Sequence, residues 1–324
     1  MNLFPLTEYD FIIVSFSGGK DSQACVAKLL ADGAPRDKIE LWHQHVDGDK
    51  PGSLMDWPCT PAYCQAYADE MGMELHHQWK DGGFEGEMNR QDQQTQGAYM
   101  HDGQGDQKYL PPSSRGKKST RRLFPQVTAN LQTRWCSAYL KIDVAARAIA
   151  NDPRLTTATI LYVTGERREE SAARAKYKTH EPHRTSGTRR RVDHYRPVLD
   201  WTESQVWNAI ETTGIVPHPA YRLGWSRLSC VACIFGQADQ WASLNHIAPS
   251  MVAKIAEYED QFGKTIHRTL SVQEQVGRGR VYPATKAAPV SLLAQAMATT
   301  YTDAIAAADW TLPAGAFGRS AGPS

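Results

Sequence analysis

The chain has 324 residues, of which 41% are hydrophobic and 22% charged, and its formal net charge is +1. This composition is typical of a soluble globular protein with a sizeable core. No apolar run reaches the ~18 residues that a membrane span needs, the N-terminus does not resemble a secretory signal, and six cysteines in this length do not indicate a disulfide scaffold. We therefore expect a cytoplasmic protein without a membrane partner.

The first half of the sequence predicts strands alternating with helices. Short apolar, β-branched runs predict strands at 11–16, 39–46, 73–79 and 159–164, and helical spacing predicts helices at 23–31, 61–71 and 137–150. Alternation of this kind implies an α/β fold with a parallel sheet covered on both faces.

The sequence divides into three predicted regions. Residues 1–200 form the predicted α/β domain, and within it 80–125 lacks apolar periodicity, which predicts a long flexible insertion or lid, or alternatively a small subdomain. Residues 201–280 are predicted to be helical, with Thr202 capping a helix and another helix near 240–262. The tail, 281–324, is rich in Ala, Thr and Gly, and its last dozen residues are expected to be disordered.

The stretch SFSGGKDS lies between the first predicted strand and the first predicted helix. Adjacent glycines let the backbone approach an oxygen cluster, and the helix N-terminus favours an anion. Lys20 adds a cation, and Asp21 could hold a phosphate-bridging Mg²⁺. The spacing fits neither the Walker loop nor the GxGxxG fingerprint. The candidate phosphate-binding residues are Ser15, Ser17, Gly18, Gly19, Lys20, Asp21 and Ser22.

SFSGGKDS resembles the pyrophosphate-binding loop of the PP-loop ATP pyrophosphatases. The segments GERREESAARAKY, YRPVLDWTESQVWNAIETTGIVPHPAY and RLSCVACIFG resemble the phosphoadenosine phosphosulfate reductase family, so that the likeness covers most of 10–236. The resemblance implies a Rossmann-like, doubly wound parallel sheet (PP-loop, HUP-like) with a helical C-terminal extension. It also implies an enzyme that binds ATP, releases pyrophosphate and adenylates a substrate.

Three functions remain open at this point. The complete SGGKDS loop resembles members that cleave ATP, among them the sulfur-transfer proteins of DNA phosphorothioation and tRNA thiolation enzymes. The alternative is a phosphoadenosine or adenosine phosphosulfate reductase, but those carry a C-terminal catalytic cysteine, and no cysteine follows Cys233. A third alternative is a nucleotide-sensing or partner-binding protein without turnover.

Polar residues near the ends of two later strands complete the predicted nucleotide site. Arg167 and Arg168 follow a predicted strand, where open α/β sheets bind ligands, and Arg174 lies one or two turns further. We expect these guanidinium groups to contact phosphate, with Arg167 and Arg168 catalytic beside Lys20 and Asp21. The alternative is that they pair with Glu169 and Glu170. The remaining candidates are Gly165, for close backbone approach, and Asp47, for ribose or metal.

Three cysteines are candidate metal ligands. Cys230 and Cys233 form a CxxC pair, and Cys136 begins a predicted helix; the family resemblance matches all three to positions that hold a [4Fe–4S] cluster in cluster-bearing relatives. A zinc site and uncoordinated thiols are the alternatives. Cys59 or Cys64 could supply a fourth ligand only if their loop folds toward the others. Lys141 matches a lysine of the family that neutralises phosphate or cluster charge.

Two segments, 115–122 and 184–196, are rich in Lys and Arg. They predict a surface for a polyanion, either a nucleic-acid substrate or a nucleotide, although solvated loops would have the same composition. The thiolation hypothesis adds a cysteine desulfurase or another sulfur donor as a partner.

Overall fold

The computed structural model describes residues 3–101, 105–128 and 130–318. The described residues form a sheet of eight strands in the order β5-β4-β3-β2-β1-β6-β8-β7. The strands are β1 (Phe11–Ser15), β2 (Ile39–His45), β3 (Glu74–Lys80), β4 (Ala98–His101), β5 (Gln107–Leu110), β6 (Thr159–Val163), β7 (His180–Pro182) and β8 (Arg191–Tyr195).

The five central strands are parallel, and the chain enters the sheet in its middle. From β1 it moves outward to β2 and β3, and later returns beside β1 to form β6 and then β8. The strand order therefore reverses between β1 and β6, which is the position where open α/β sheets bind ligands at the carboxyl ends of their strands. The predicted α/β fold with a doubly wound parallel sheet is confirmed.

Helices cover both faces of the sheet. They are α1 (Lys20–Ala31), α2 (Thr60–Met71), α3 (Gly83–Met88), α4 (Trp135–Ser137), α5 (Asp143–Asn151), α6 (Glu203–Glu211), α7 (Pro219–Arg222), α8 (Ala238–Ile247), α9 (Pro249–Phe262), α10 (Val272–Arg278), α11 (Pro283–Ala287) and α12 (Val290–Met297). Alternate residues of β1 point to opposite faces: Ile12 and Val14 join the core with α1, whereas Ile13 joins the core with Ile149 of α5.

The helix predicted at 137–150 contains a π-helical turn. It begins with α4, continues through the turn Ala138–Ile142 and ends with α5. Such turns widen a helix locally and are frequent at functional sites. This one carries Lys141 and follows directly on Cys136.

The insertion 80–125 contains regular structure that its sequence pattern did not predict. It forms α3, β4 and β5, and β4 pairs antiparallel with β3, so that the insertion extends the sheet. Phe84, Met88 and Met100 are buried in the cores. The strands are four residues long, too short for alternation to show against so many polar residues. The flexibility of the insertion stays a prediction.

The C-terminal region is helical, as predicted, and α6 begins with the expected capping box between Thr202 and Gln205. The tail also has structure: α11 and α12 lie within 281–324, and Trp310 packs against the β1 and α1 core. The predicted disorder of the last dozen residues falls in part on 319–324, which lie outside the described residues. No described helix combines the length and the apolarity that crossing a membrane requires.

Candidate functional site: a phosphate-type loop beside a cluster of thiols

The SFSGGKDS loop connects the carboxyl end of β1 to the N-terminus of α1 in the predicted strand–loop–helix order. Gly18 has φ +71°, and a Cβ added to it would lie 3.0 Å from the Sγ atom of Cys64. Both the backbone conformation and the close packing therefore require glycine. The loop lies at the edge of the sheet where the strand order reverses.

Hydroxyl groups and amides line the start of α1. Ser17 is exposed, its Oγ atom lies 3.4 Å from Ser22 Oγ, and it accepts a hydrogen bond of 3.3 Å from the Gly19 N–H group. Ser22 Oγ donates to the Gly19 carbonyl group at 2.8 Å. Ser15 instead donates to Gln44 at 3.3 Å. Ser17 and Ser22 thus face the helix N-terminus, where an anion is favoured, whereas Ser15 faces the neighbouring strand.

Lys20, predicted to be a phosphate-binding cation, contacts protein groups in this structure. Its side chain is 3% exposed, and its Nζ atom lies 2.8 Å from Glu203 Oε1 and donates to the Ser226 carbonyl group at 2.5 Å. The rings of Trp207 and Tyr221 have centroids 5.7 Å from the same atom. The ammonium group is directed into the protein because the first residue of α1 faces α6, a contact that the loop pattern does not reveal. Binding of phosphate by Lys20 stays a prediction.

Asp21 and Arg167 are brought together, as two predicted site residues should be. Arg167 Nε lies 2.5 Å from Asp21 Oδ1, and Arg167 also pairs with Glu169. Gly165 supports this contact, since a Cβ at that position would lie 2.7 Å from the backbone carbon of Asp21. The turn after β6 therefore packs directly on the first turn of α1.

The other two predicted arginines are occupied by partners in their own segment. Arg168 Nε lies 2.5 Å from Asp200, and its guanidinium group donates to two backbone carbonyl groups of the following turn. Arg174 pairs with Glu170, and Arg227 lies 3.6 Å from the same carboxylate. The alternative in which arginines pair with Glu169 and Glu170 is thus what the structure contains for Arg167 and Arg174. Contact of Arg174 with a nucleotide stays a prediction.

Asp47 performs a structural task that the sequence did not predict. Its carboxylate accepts hydrogen bonds of 2.9–3.2 Å from the backbone N–H groups of Leu54, Met55 and Asp56. Burial raises the pKa of Asp47, while these N–H groups oppose that shift. The residue shapes the loop after β2, and its contact with ribose or metal stays a prediction.

Tyr221 is a site residue that the sequence analysis did not single out. Its buried hydroxyl oxygen accepts hydrogen bonds from the N–H groups of Lys20, at 2.9 Å, and Leu228, at 3.1 Å. The Leu228 side chain lies against Gly18 and Gly19. Residues 226–228 therefore pack onto the phosphate-type loop. A buried tyrosine in the segment PHPAYR was the available signal, but its partner is about 200 residues away in the chain.

The three predicted metal-ligating cysteines lie around Lys141. Burial raises the pKa of Cys136 to about 11, an effect that Cys233 strengthens and Lys141 opposes. Burial also raises the pKa of Cys230, which Asp56 increases and Lys141 again reduces. Although burial alone would lower the pKa of Lys141, the three thiols and Asp56 raise it. Lys141 is thus a buried cation close to all three cysteines, and it would favour their thiolate forms.

The described residues contain no compact set of three sulfur ligands. None of the six cysteines is in a disulfide. In a tetrahedral zinc site with Zn–S bonds of about 2.3 Å, sulfur atoms lie about 3.8 Å apart. Among the described residues, the one group of three candidate ligand atoms within 4.8 Å of one another lies elsewhere in the chain. Binding of a cluster or a zinc ion by Cys136, Cys230 and Cys233 stays a prediction.

The remaining cysteines contact other partners. Cys59 Sγ lies 3.4 Å from His218 Nε2, and Cys64 Sγ lies 3.7 Å from His43 Nδ1. Cys64 also contacts Gly18, so it lies beneath the phosphate-type loop. A role for either of them as a fourth ligand stays a prediction. Cys25 is fully buried.

The two basic segments are partly neutralised by the protein itself. In 115–122, Arg121 lies 2.8 Å from buried Glu87, while Arg115, Lys117 and Lys118 are exposed. In 184–196, Arg191 and Arg196 form ion pairs. Arg184 and Arg189 are exposed, and Arg184 lies 3.3 Å from Asp143 Oδ1. Binding of a polyanion stays a prediction for both.

A cavity of about 510 Å³ lies at the β7 edge of the sheet, and Arg168 is the one predicted site residue that lines it. It contains none of the loop residues or thiols. The candidate site is therefore defined by the phosphate-type loop and the three cysteines, and it does not include this cavity.

Comparison with known proteins finds a family model and relatives that match part of the chain. Residues 110–235 match the model of the phosphoadenosine phosphosulfate reductase domain, a range that contains the three thiols and the arginines but not the SFSGGKDS loop. The chain is 32% identical over 136 residues to an uncharacterized 37.8 kDa protein of Escherichia phage 186, covering 42% of this chain and 39% of that protein. It is 32% identical over 100 residues to an adenosine 5'-phosphosulfate reductase of Neisseria meningitidis, covering 31% of this chain and 36% of the reductase.

Among solved structures, a phosphoadenylyl-sulfate reductase from Candida auris in a phosphate complex shares 14% sequence identity, with a TM-score of 0.35 over 66% of this chain and 78% of that chain. A likeness of this extent carries no weight for function. The fold and the matched domain define a protein with a doubly wound α/β sheet. Residues 110–235 therefore resemble the phosphoadenosine phosphosulfate reductase domain, and the chain spans less than half of the length of the curated relatives that it matches.

Proposed function

We propose that this protein is a PP-loop enzyme that binds Mg-ATP at residues 15–22 and adenylates an acceptor with release of pyrophosphate. Transfer of sulfur to the activated acceptor, supported by Cys136, Cys230 and Cys233, would follow. One observation carries the proposal: residues 226–228 pack on the loop through Lys20 and Gly18, and within five residues the same segment reaches both cysteines of the CxxC pair.

In the first step, an acceptor oxygen attacks the α-phosphorus of ATP. The new bond joins that oxygen to phosphorus, the bond to the bridging β-phosphate oxygen breaks, and pyrophosphate leaves. Ser17, Ser22 and the helix N-terminus would bind the leaving pyrophosphate. Asp21, whose side chain is 21% exposed, would share its carboxylate between Arg167 and Mg²⁺.

Adenylation turns a poor leaving group into AMP, so a sulfur nucleophile can replace the acceptor oxygen. With three protein thiolates, a [4Fe–4S] cluster keeps one iron without a protein ligand, where the sulfur to be transferred can be held. Cys136, Cys230 and Cys233 would hold this group, and Lys141 would balance its charge. A persulfide-bearing partner, such as a cysteine desulfurase, would supply the sulfur, and a dithiol reductant would provide the two electrons that bring its outer sulfur to the sulfide level.

A nucleic acid or a nucleotide fits the acceptor role. The exposed Lys and Arg residues of 115–122 and 184–196 favour a polyanion. Thiolation of such an acceptor would place this chain near the DNA phosphorothioation and tRNA thiolation proteins.

Reduction of a phosphosulfate nucleotide is the second candidate. It is favoured by the 32% identity with an adenosine 5'-phosphosulfate reductase. That reaction needs a thiol nucleophile. Sulfite formation from adenosine or phosphoadenosine phosphosulfate with a dithiol reductant would support this candidate over the adenylation proposal.

Pyrophosphate release from ATP tests the first step. Gly165→Ala should reduce it at least about tenfold, because the new Cβ would lie 2.7 Å from the Asp21 backbone and displace the first turn of α1. Gly187→Ala is the matched control, since its Cβ would meet nothing within 4 Å. ATP binding without AMP formation, in the presence of nucleic-acid and nucleotide acceptors, would instead indicate a nucleotide sensor.

Anaerobic purification tests the sulfur-transfer part. We expect a brown protein with broad absorbance near 400 nm that contains iron and acid-labile sulfide. Cys136→Ser should lose both, whereas Cys25→Ala, at a buried cysteine of the α1 core, should keep them. A colourless wild-type protein without iron, prepared anaerobically, would contradict the cluster.

A further inference from the structure

A second cluster of ligand-type side chains lies at the amino ends of β2 and β3, far along the strands from the phosphate-type loop. Glu40 is paired in register with Glu74, and Trp42 with His76. Side chains two residues apart on a strand share a face of the sheet. Glu40, Glu74 and His76 therefore project from the same face at the beginning of two adjacent strands.

The distances within this cluster are not those of hydrogen bonds. His76 Nε2 lies 3.4 Å from Glu40 Oε2 and 3.4 Å from Glu74 Oε2, beyond the usual N–H···O range of about 2.7–3.2 Å. The His76 residue is 6% exposed, and its Nε2 atom is buried without a hydrogen-bond partner among the described residues. A buried polar atom without a partner is costly, and one directed at two carboxylates indicates a missing ligand.

The same distances fit a shared metal ion. Nitrogen and oxygen ligands at about 2.0–2.2 Å from a tetrahedral Zn²⁺ ion lie about 3.3–3.6 Å from one another. The three ligand atoms lie within 4.8 Å of one another. The imidazole and the two carboxylates thus require only small movements to coordinate one ion, with water completing the site.

The surrounding charges favour a divalent cation. Arg154 Nη1 lies 2.7 Å from Glu40 Oε1, and Arg154 Nη2 lies 2.8 Å from Asp152 Oδ2. Three carboxylates and one guanidinium leave a net charge of about −2 beside the imidazole. Arg154 and the Trp42 Nε1–H group, which donates to Glu40 Oε2 at 3.0 Å, also hold the Glu40 carboxylate in place, as outer partners of metal ligands do.

We propose that Glu40, Glu74 and His76 form a binding site for a divalent transition-metal ion, Zn²⁺ in particular, that joins the amino ends of β2 and β3. The site is independent of the proposed nucleotide chemistry. Its role is structural, because both strands carry their site-forming residues at the opposite, carboxyl ends. The competing arrangement is a proton in place of the metal, with an imidazolium shared by the two carboxylates.

Zn²⁺ binding by the full chain separates the two arrangements. Zn²⁺ also binds to thiols in general, so the informative quantity is the difference between variants, measured by equilibrium dialysis with metal analysis. Glu74→Gln and His76→Gln should each remove one Zn²⁺ per chain or weaken its binding at least about tenfold. Glu70→Gln, at an exposed glutamate of α2, should bind like the wild type. Because the Glu74 side chain is 71% exposed, Glu74→Gln is expected to fold even if His76→Gln does not.

A spectroscopic measurement completes the test. Addition of Zn²⁺ at neutral pH should shift the imidazole carbon resonances of His76 in the wild type but not in Glu74→Gln. Equal Zn²⁺ stoichiometry and affinity in the wild type and Glu74→Gln would overturn the proposal. An imidazole signal of His76 that titrates as a protonated ring and does not respond to Zn²⁺ would assign the site to a proton instead.

Discussion

Lys20 belongs to a sequence motif that indicates phosphate binding, but its side chain contacts other protein groups. The side chain belongs to a loop whose residues indicate phosphate binding, but its Nζ atom is paired with Glu203 and the Ser226 carbonyl group. The pairing ties α1 to α6 and to the segment that leads to the CxxC cysteines. We therefore assign Lys20 a positioning role in the fold of the site.

This assignment predicts the outcome of a double-mutant cycle. Lys20→Met and Glu203→Gln should each lower the free energy of unfolding by about 1–3 kcal/mol, less than for a fully buried pair because Glu203 is 21% exposed. The double variant should lose less than the sum of the two. Urea unfolding measures the cycle.

ATP affinity provides the contrasting measurement. If Lys20 instead binds phosphate, Lys20→Met would weaken ATP binding at least about tenfold while Glu203→Gln would not. Equal, modest effects of the two variants on ATP affinity are the result expected from the pairing.

At the level of single elements, β2 joins the core to the site. Its last residues include His43, whose Nδ1 atom lies 2.8 Å from the Phe16 carbonyl oxygen, directly before the phosphate-type loop. His43 is 3% exposed, and burial lowers its pKa to about 4. His218 is also buried, and burial lowers its pKa to about 3.

These two histidines predict a loss of stability at mildly acidic pH. In the unfolded chain their pKa is near 6.5, so below that pH the unfolded state binds protons that the folded state does not, and stability falls as pH falls. For His43 the loss extends from pH 6.5 to about pH 4 and amounts to at most about 3 kcal/mol.

Urea unfolding between pH 7 and pH 5 measures this dependence. His43→Gln and His218→Gln should each reduce its slope, whatever their effect on stability at pH 7. A slope that is unchanged in both variants would show that other groups cause the acid sensitivity.

The helix formed by α4, the π-helical turn and α5 shows which features of an element the sequence predicts and which it does not. Its amphipathic pattern predicted a helix almost to the residue, because alanines and aliphatic side chains recur at helical spacing. The π-helical turn was not predictable, since it follows from fitting Cys136 and Lys141 against the CxxC segment. The strands of the insertion were missed for a related reason: four-residue strands gain their stability from pairing with β3 and not from local preference.

At the scale of the whole molecule, the C-terminal tail helps to hold the candidate site in place. Residues 281–318 of this tail contact the segment 215–225, which contains Tyr221. Thr285 Oγ1 donates to the Leu223 carbonyl group at 2.6 Å, Trp310 Nε1 donates to the Ile215 carbonyl group at 2.9 Å, and the Gly315 N–H group donates to the Tyr221 carbonyl group at 2.7 Å.

We predict that removing the chain after Arg280 lowers the melting temperature and abolishes pyrophosphate release, because Tyr221 would lose the contacts that hold its backbone. Gly315→Ala is a finer version of the change, since its Cβ would lie 2.1 Å from the Trp225 carbonyl oxygen. Leu312→Ala, at an exposed residue of the same tail, serves as the control. A chain ending at Arg280 with wild-type stability and activity would contradict this role of the tail.

Local sequence patterns predicted the class of fold and the candidate site residues. Alternating apolar runs and helical spacing predicted the parallel sheet, and the glycines of SFSGGKDS indicated a loop at its ligand-binding edge, because these features depend on residues close together in the chain. Only the tertiary structure decided which side chains meet. Lys20 turned inward to Glu203, Arg167 met Asp21, and Tyr221 joined the loop to the thiol segment. Each of these contacts links residues more than 140 positions apart, and packing at such separations depends on the whole core, which no local pattern encodes.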